Sequence, residues 1–336
     1  MKSNLNYIGS KLSLLEFIEN TVVDNIDDDL DKLVFCDLFA GTGIVGRYFK
    51  NKTKKVLSND FEYYSYVLLK HYIENSDDIL RKEELIEELN NLPIKKDGFI
   101  FENYADGGKA DRKYYTRENG QKIDSIRLQI EQWKEENYIN EKEYYFLLAS
   151  IIESSDKIAN TAVVYGAFLK QFKKKSLEPL VLRGSEIDLS DNSHEAYHKD
   201  SNELIKEISG DILYLDPPYN NRQYGANYHL LNTIALYDEF EPNGKTGLRN
   251  YQRSDYCVKN IVNNSFEDLI ANANFKYIFL SYNNEGLMTE EEVREIMKKY
   301  GKYEVFKKKY QRFKADSRRK HKADSTFEYL HFLKKD

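Results

Sequence analysis

The sequence predicts an α/β protein: a doubly wound, mainly parallel sheet with helices on both faces, an antiparallel strand near its end and an inserted helical module. Three observations carry that expectation. Two short apolar runs, Val34–Phe39 and Ile212–Leu215, stop abruptly, as buried parallel strands do where they deliver side chains to the carboxyl edge of an open sheet. The first run passes through Gly41 and Gly43 into a helical pattern starting at Ile44, and a further strand, KKVLSND, ends at Asp60. From about Ile79 to Leu182 the pattern changes to amphipathic charged helices. The 336 residues therefore divide into a sheet domain, 1–78 and 183–336, and an inserted module, 79–182.

Composition excludes several classes. No apolar run approaches the roughly 20 residues needed to cross a bilayer, and MKSNLNYIGSK has no apolar signal region, so a soluble, cytoplasmic protein is expected. Cys36 and Cys257 are the only cysteines, which leaves neither a disulfide framework nor a metal-finger spacing. His194 and His198 lie four apart on a strand or turn, where they do not share a face, and no metal is expected. A formal net charge of −6 confines any nucleic-acid contact to local patches, of which Leu169–Lys175 and Lys307–Lys322 qualify.

The N-terminal stretch Asn6–Ile18 reads as a turn followed by an amphipathic helix with Leu14, Leu15 and Ile18 inward. Lys11 at the helix start opposes the macrodipole, and a bound anion such as a cofactor carboxylate would explain it. In the strand–turn–helix that follows, Gly41 and Gly43 let a ligand approach the backbone, and Gly41–Gly46 satisfies the dinucleotide fingerprint. Asp60 stands where an acid binds two ribose hydroxyls. This cup suits NAD, FAD or S-adenosylmethionine equally.

Asp216-Pro217-Pro218-Tyr219, at the end of Ile212–Leu215, separates them. Two prolines cannot continue a ladder, so the Asp216 carboxylate, the Pro217 carbonyl and the Tyr219 ring are held rigid. Two acceptors beside an aromatic face suit the exocyclic amine of a nucleobase. A nicotinamide enzyme has no use for an amine clamp, whereas a methyl donor needs a nucleophilic amine in line with its sulfonium, which favours S-adenosylmethionine.

Tyr7-Ile8-Gly9-Ser10-Lys11, Asp37-Leu38-Phe39-Ala40-Gly41-Thr42-Gly43, Asp60 and Asp216-Pro217-Pro218-Tyr219, in this order, resemble the Dam-like α-class of DNA adenine-N6 methyltransferases. The flanks NNRQY and SYNNEG bring the chain closest to the FokI-type modification methylases. The resemblance implies a class I, Rossmann-like methyltransferase fold and methyl transfer to N6 of a flipped adenine in double-stranded DNA. It also implies a companion restriction nuclease. Tyr7, Lys11, Asp37, Phe39, Gly41, Gly43 and Asp60 would surround the cofactor, with Asp200 either accepting its adenine amine or capping the next helix. Asp216, Pro217 and Tyr219 would be catalytic.

In the resembled family the segment between the second and third strands contacts DNA, which makes Arg112, Lys113, Tyr114, Tyr115 and Arg117 candidates by chemistry. Arg222, Gln223 and Tyr224 would lie beside the flipped base, and Ser281, Tyr282 and Asn283 would line its pocket. Gly244–Cys257 reads as a mobile loop. Arg318, Arg319 and Lys320 would meet phosphates from the tip of the final hairpin. The tetrad alone also fits cytosine N4 or adenine in RNA, and a silent DNA-binding subunit is the rival of a different class.

Overall fold

In the computed structural model, which describes residues 5, 7, 9–311 and 325–336, seven strands form one sheet in the order β3-β2-β1-β4-β5-β7-β6. These are β1 (Val34–Asp37), β2 (Lys55–Asn59), β3 (Glu195–Tyr197), β4 (Ser209–Leu215), β5 (Asn274–Asn283), β6 (Gly301–Gln311) and β7 (Ser325–Lys335). From β3 to β5 neighbours pair in parallel; β7 is antiparallel to both β5 and β6. Arg318, Arg319 and Lys320 lie outside the described residues.

Alternate residues of the central strands face opposite helical layers, which is why the apolar runs are continuous rather than alternating. Phe35, Ile212, Tyr214 and Phe279 pack with α1 (Leu15–Asn25) and α2 (Ile44–Phe49). Cys36, Leu213, Leu215 and Ile278 pack toward α8 (Ser201–Leu204), α11 (Val262–Asn272) and α12 (Glu290–Met297). Leu14, Leu15 and Ile18 are inward, as the periodicity requires.

The inserted segment is helical: α4 (Lys82–Asn90), α5 (Phe99–Tyr104), α6 (Arg117–Glu135) and α7 (Glu141–Ile158). The short α5 has no side-chain cap of its own, since Gly98 stands at its N-cap. Asp124 from α6 makes it possible, its carboxylate accepting the otherwise unpaired N–H groups of Ile100 and Phe101, each at 2.8 Å. These helices share one continuous apolar core with α3 (Tyr63–Leu69) and α10 (His229–Leu236). Among the described residues no helix is long and apolar enough to cross a membrane.

Two further expectations change. Gly244–Cys257 is tethered: Arg112 donates to the Lys245 and Gly244 carbonyls, Tyr104 to Gly247 (2.6 Å), and Arg249 pairs with both oxygens of Asp238. Ser281, Tyr282 and Asn283 do not line the cavity described below. Ser281 and Tyr282 are buried, and Asn283 accepts from the Glu285 N–H.

Candidate active site

β1 and β4 lie side by side while the chain departs to opposite flanks of the sheet, so a crevice opens where the strand order reverses. Its floor is braced. Leu38 N–H donates to the Tyr214 carbonyl (3.1 Å) and Ala40 N–H to the Asn59 carbonyl (2.9 Å), tying the exit of β1 to both neighbouring strands. The cavity there is lined by residues from all the expected motifs: Tyr7 and Lys11, Asp37, Phe39 and Gly41, Asp60, Asp200, then Asp216, Pro217, Tyr219 and Tyr224.

Gly41 takes φ +55°, and its N–H donates to Asp60 Oδ2 at 2.7 Å; a Cβ there would lie 2.8 Å from Tyr7 Oη. Burial pushes the Asp60 carboxyl up to about 6, against hydrogen bonds from the Glu62 and Gly41 N–H groups. Asp37 accepts the Gly46 N–H on Oδ2 (3.0 Å), while Oδ1 is buried without a partner among the described residues. Burial drives its carboxyl up to about 8, with Asp216 and Asp60 adding to the rise. Gly46 also lets α2 sit close to the sheet, since a Cβ would lie 2.7 Å from Ser58 Oγ.

Among the described residues Asp216 is engaged through one oxygen, Oδ1. Lys11 Nζ lies 3.0 Å from Asp216 Oδ1 and 2.9 Å from Glu328 Oε1, and Ser281 Oγ donates to the same Glu328 oxygen at 2.7 Å. Burial pulls the Lys11 ammonium down, but the two carboxylates more than offset it and its pKa lies well above the usual lysine value. Burial lifts Asp216 to about 6, Lys11 opposing and Glu328 assisting. The Tyr219 carbonyl accepts the Leu287 N–H (3.0 Å), which ties the end of the tetrad to the loop after β5. Such an arrangement offers a fixed acceptor for an amine beside an aromatic ring.

A family model for the D12 class of N6 adenine-specific DNA methyltransferases matches residues 7–296. The chain belongs to that class. It is 57% identical over 333 residues to the Type II methyltransferase M.NlaIII of Neisseria lactamica, covering 98% of this chain and 99% of that one. It is 38% identical to the Type II methyltransferase M.CviAII of Paramecium bursaria Chlorella virus 1, covering 93% and 94%. The Type II methyltransferase M.FokI of Planomicrobium okeanokoites is 44% identical over 99% of this chain, which spans 53% of that longer protein.

Within this D12 methyltransferase several expected residues do other work. Gly43 (φ +76°) does not line the cavity; its Cβ position faces Leu69 Cδ2 at 2.9 Å, so glycine there serves the packing of α2 against α3. Lys11 finds its anions within the protein, in Asp216 and Glu328. Asp200 Oδ1 accepts from Asn202 and Glu203 N–H groups, the capping alternative, although the residue also lines the cavity.

Arg112 is spent on the Asn103, Gly244 and Lys245 carbonyls, Tyr114 and Tyr115 are fully buried, and Arg117 donates to Gly107 and covers the Phe101 ring. Arg112 and Tyr114 act as scaffold because their polar groups are spent on carbonyls of the helical segment and of the Gly244–Thr246 loop. Arg222 is exposed near the cavity but does not line it. His194 accepts the Val56 N–H, and His198 meets the Phe61 carbonyl.

Sequence reading missed Glu62 and Glu328. Glu62 lines the cavity, accepts from Asn232 at 2.5 Å and is pushed by burial to about 7. Its signal was proximity to Asp60. That of Glu328 was an acid on the same face as Leu330 and Phe332 in an alternating strand.

Proposed function

We propose that this methyltransferase takes its methyl group from S-adenosylmethionine and delivers it to an adenine rotated out of duplex DNA, at a specific sequence. The observation that carries this reading is the Asp216 carboxylate: one oxygen is held by Lys11 at 3.0 Å in a cavity that also contains Asp37, Asp60 and Glu62. The residues fit that donor. Asp37 Oδ1, buried without a partner among the described residues, suits an amino-acid ammonium, and the acids at the end of β2 suit ribose hydroxyls.

When bound, the donor supplies an electrophilic methyl on a sulfonium. The chain supplies orientation and charge. Asp216 and the Pro217 carbonyl accept the two N6 hydrogens, favouring the pyramidal nitrogen that develops as its lone pair bonds to the methyl carbon. The bond to sulfur breaks with its electron pair left on sulfur, and the extra proton leaves N6 for solvent or Asp216. Tyr219 stacks on the base, which must leave the duplex because its amine is otherwise out of in-line reach.

DNA contact falls to the helical module and the loops around the cavity, including Arg222 and Tyr224. Within the module Leu169–Lys175 is better placed than Arg112. Lys170, Lys174 and Lys175 are exposed, and the neighbouring Tyr165 N–H donates to Asn227 (2.7 Å) in α9 (Tyr224–Asn227), the one-turn helix whose first residue lines the cavity. The same reading makes the protein the modification half of a restriction–modification pair in the cytoplasm, with a separate nuclease as partner; what supports it is that its relatives are named Type II methyltransferases.

The experiment is transfer of labelled methyl from S-adenosylmethionine to unmethylated genomic DNA, with nucleoside analysis, for the wild type and Asp216→Ala. Label on N6-methyladenine that disappears in the variant is expected. Undiminished transfer by Asp216→Ala would overturn the assigned role of the carboxylate.

A further inference from the structure

Asp216 lies behind a three-part chain that the reaction as described leaves unused. Glu328, on β7, is buried, and its Oε1 takes two donors, Lys11 Nζ at 2.9 Å and Ser281 Oγ at 2.7 Å. Lys11 Nζ in turn reaches Asp216 Oδ1 at 3.0 Å. The parts come from opposite ends of the chain: 317 positions separate Lys11 from Glu328. A buried carboxylate is expensive unless paired, and an apolar residue at 328 would continue the core face that Leu330 and Phe332 begin. Packing does not ask for an acid there.

We propose that Glu328 is a positioning residue for methyl transfer: it shares the Lys11 ammonium with Asp216, fixing it on one oxygen so that the other oxygen faces the target amine. The inference rests on the reading of Asp216 as the amine acceptor. An ammonium facing Asp216 alone would be free to bridge both its oxygens and draw charge from the acceptor. A second carboxylate of equal reach, itself oriented by Ser281, holds the ammonium between the two and keeps the cluster of one cation and two anions net negative. That excess charge faces the nitrogen on which positive charge develops.

The other ionisable groups acting on Asp216 or its immediate partners are Asp37 from β1, Tyr214 from β4, and Tyr219 and Tyr224 beyond the tetrad. Burial holds all three tyrosines above their usual range and Asp37 near 8. Glu328 raises the Asp216 pKa, so removing its charge lowers it.

The test uses the full chain and compares Glu328→Gln, Glu328→Asp and Ser281→Ala with the wild type and Asp216→Ala. Glu328→Gln is expected to lower kcat about tenfold, less than the hundredfold or more seen when a direct transition-state contact is removed. KM for S-adenosylmethionine and DNA should stay within twofold of wild type. The acid limb of the kcat profile should move to lower pH. Glu328→Asp should restore the limb and part of kcat, and Ser281→Ala should lower kcat by a smaller factor.

Wild-type kcat in Glu328→Gln would overturn the proposal, as would a lowered kcat with the acid limb in place, which is the mark of structural damage. If Glu328→Gln does not fold, Glu328→Asp and Ser281→Ala carry the same decision. Full activity in Asp216→Ala is a separate result: it would remove the reading on which the proposal rests.

Discussion

Replacing Lys11 with Met removes the ammonium and keeps most of the side-chain volume, leaving Asp216 and Glu328 facing each other across the space it occupied. At an effective dielectric near 20, an attraction across about 3 Å is worth roughly 5 kcal/mol, and Lys11 makes two such contacts. Much of this is offset by the desolvation cost of the ammonium itself. Broken buried pairs lose about 3–5 kcal/mol, and the lower figure applies here because the Asp216 side chain is 20% exposed and its carboxylate, already raised to about 6, can take up a proton. With an unfolding entropy of about 2 cal/mol/K per residue, 336 residues convert a loss of about 3 kcal/mol into a fall of about 4 °C in Tm. Without the cation, the Glu328 charge raises the Asp216 pKa unopposed, so Asp216 stays protonated further into the neutral range. The acid limb of methyl transfer should therefore move to higher pH, opposite to the direction expected for Glu328→Gln. Thermal unfolding and pH–rate profiles of Lys11→Met provide the assay. An unchanged Tm together with an unmoved acid limb would refute the reasoning, because both consequences follow from the same two contacts.

Three further outcomes are expected. Gly41→Ala should weaken S-adenosylmethionine binding and cost about 1–2 kcal/mol of stability, since the site has φ +55° and its Cβ would press on Tyr7 Oη; isothermal titration and denaturant unfolding measure the two effects. Arg112→Ala should leave the salt dependence of DNA binding unchanged while Lys174→Ala lowers its log–log slope by about one, a contrast readable by fluorescence anisotropy over a salt series. The pH dependence of stability has a definite sign at Asp37. Because burial raises its carboxyl to about 8, its contribution is fully present below the usual carboxylate range and is lost as pH rises through 8. Between pH 6.5 and 8 wild-type stability should fall, and Asp37→Asn should fall less; equal slopes in urea titrations would contradict this.

Residues whose roles depend on near neighbours were legible from the sequence. The continuous apolar runs of β1 and β4, the glycine turn between β1 and α2, and the rigid Asp216–Tyr219 exit follow from backbone geometry over a few positions, and all of them meet at one sheet edge. The helices of the module follow from side-chain period, except α5, whose two unpaired N–H groups need Asp124 from another helix. What the tertiary structure alone decided is which polar groups are already spent. Arg112 and Lys11 each carry a charge suited to a ligand, yet one is consumed by carbonyls 132 and 133 positions away and the other by Glu328, 317 positions away. Local sequence determines what a side chain can bond. Burial and long-range pairing determine whether that capacity is left for DNA and the methyl donor, because an unpaired polar group inside the fold costs more than the backbone pattern reveals.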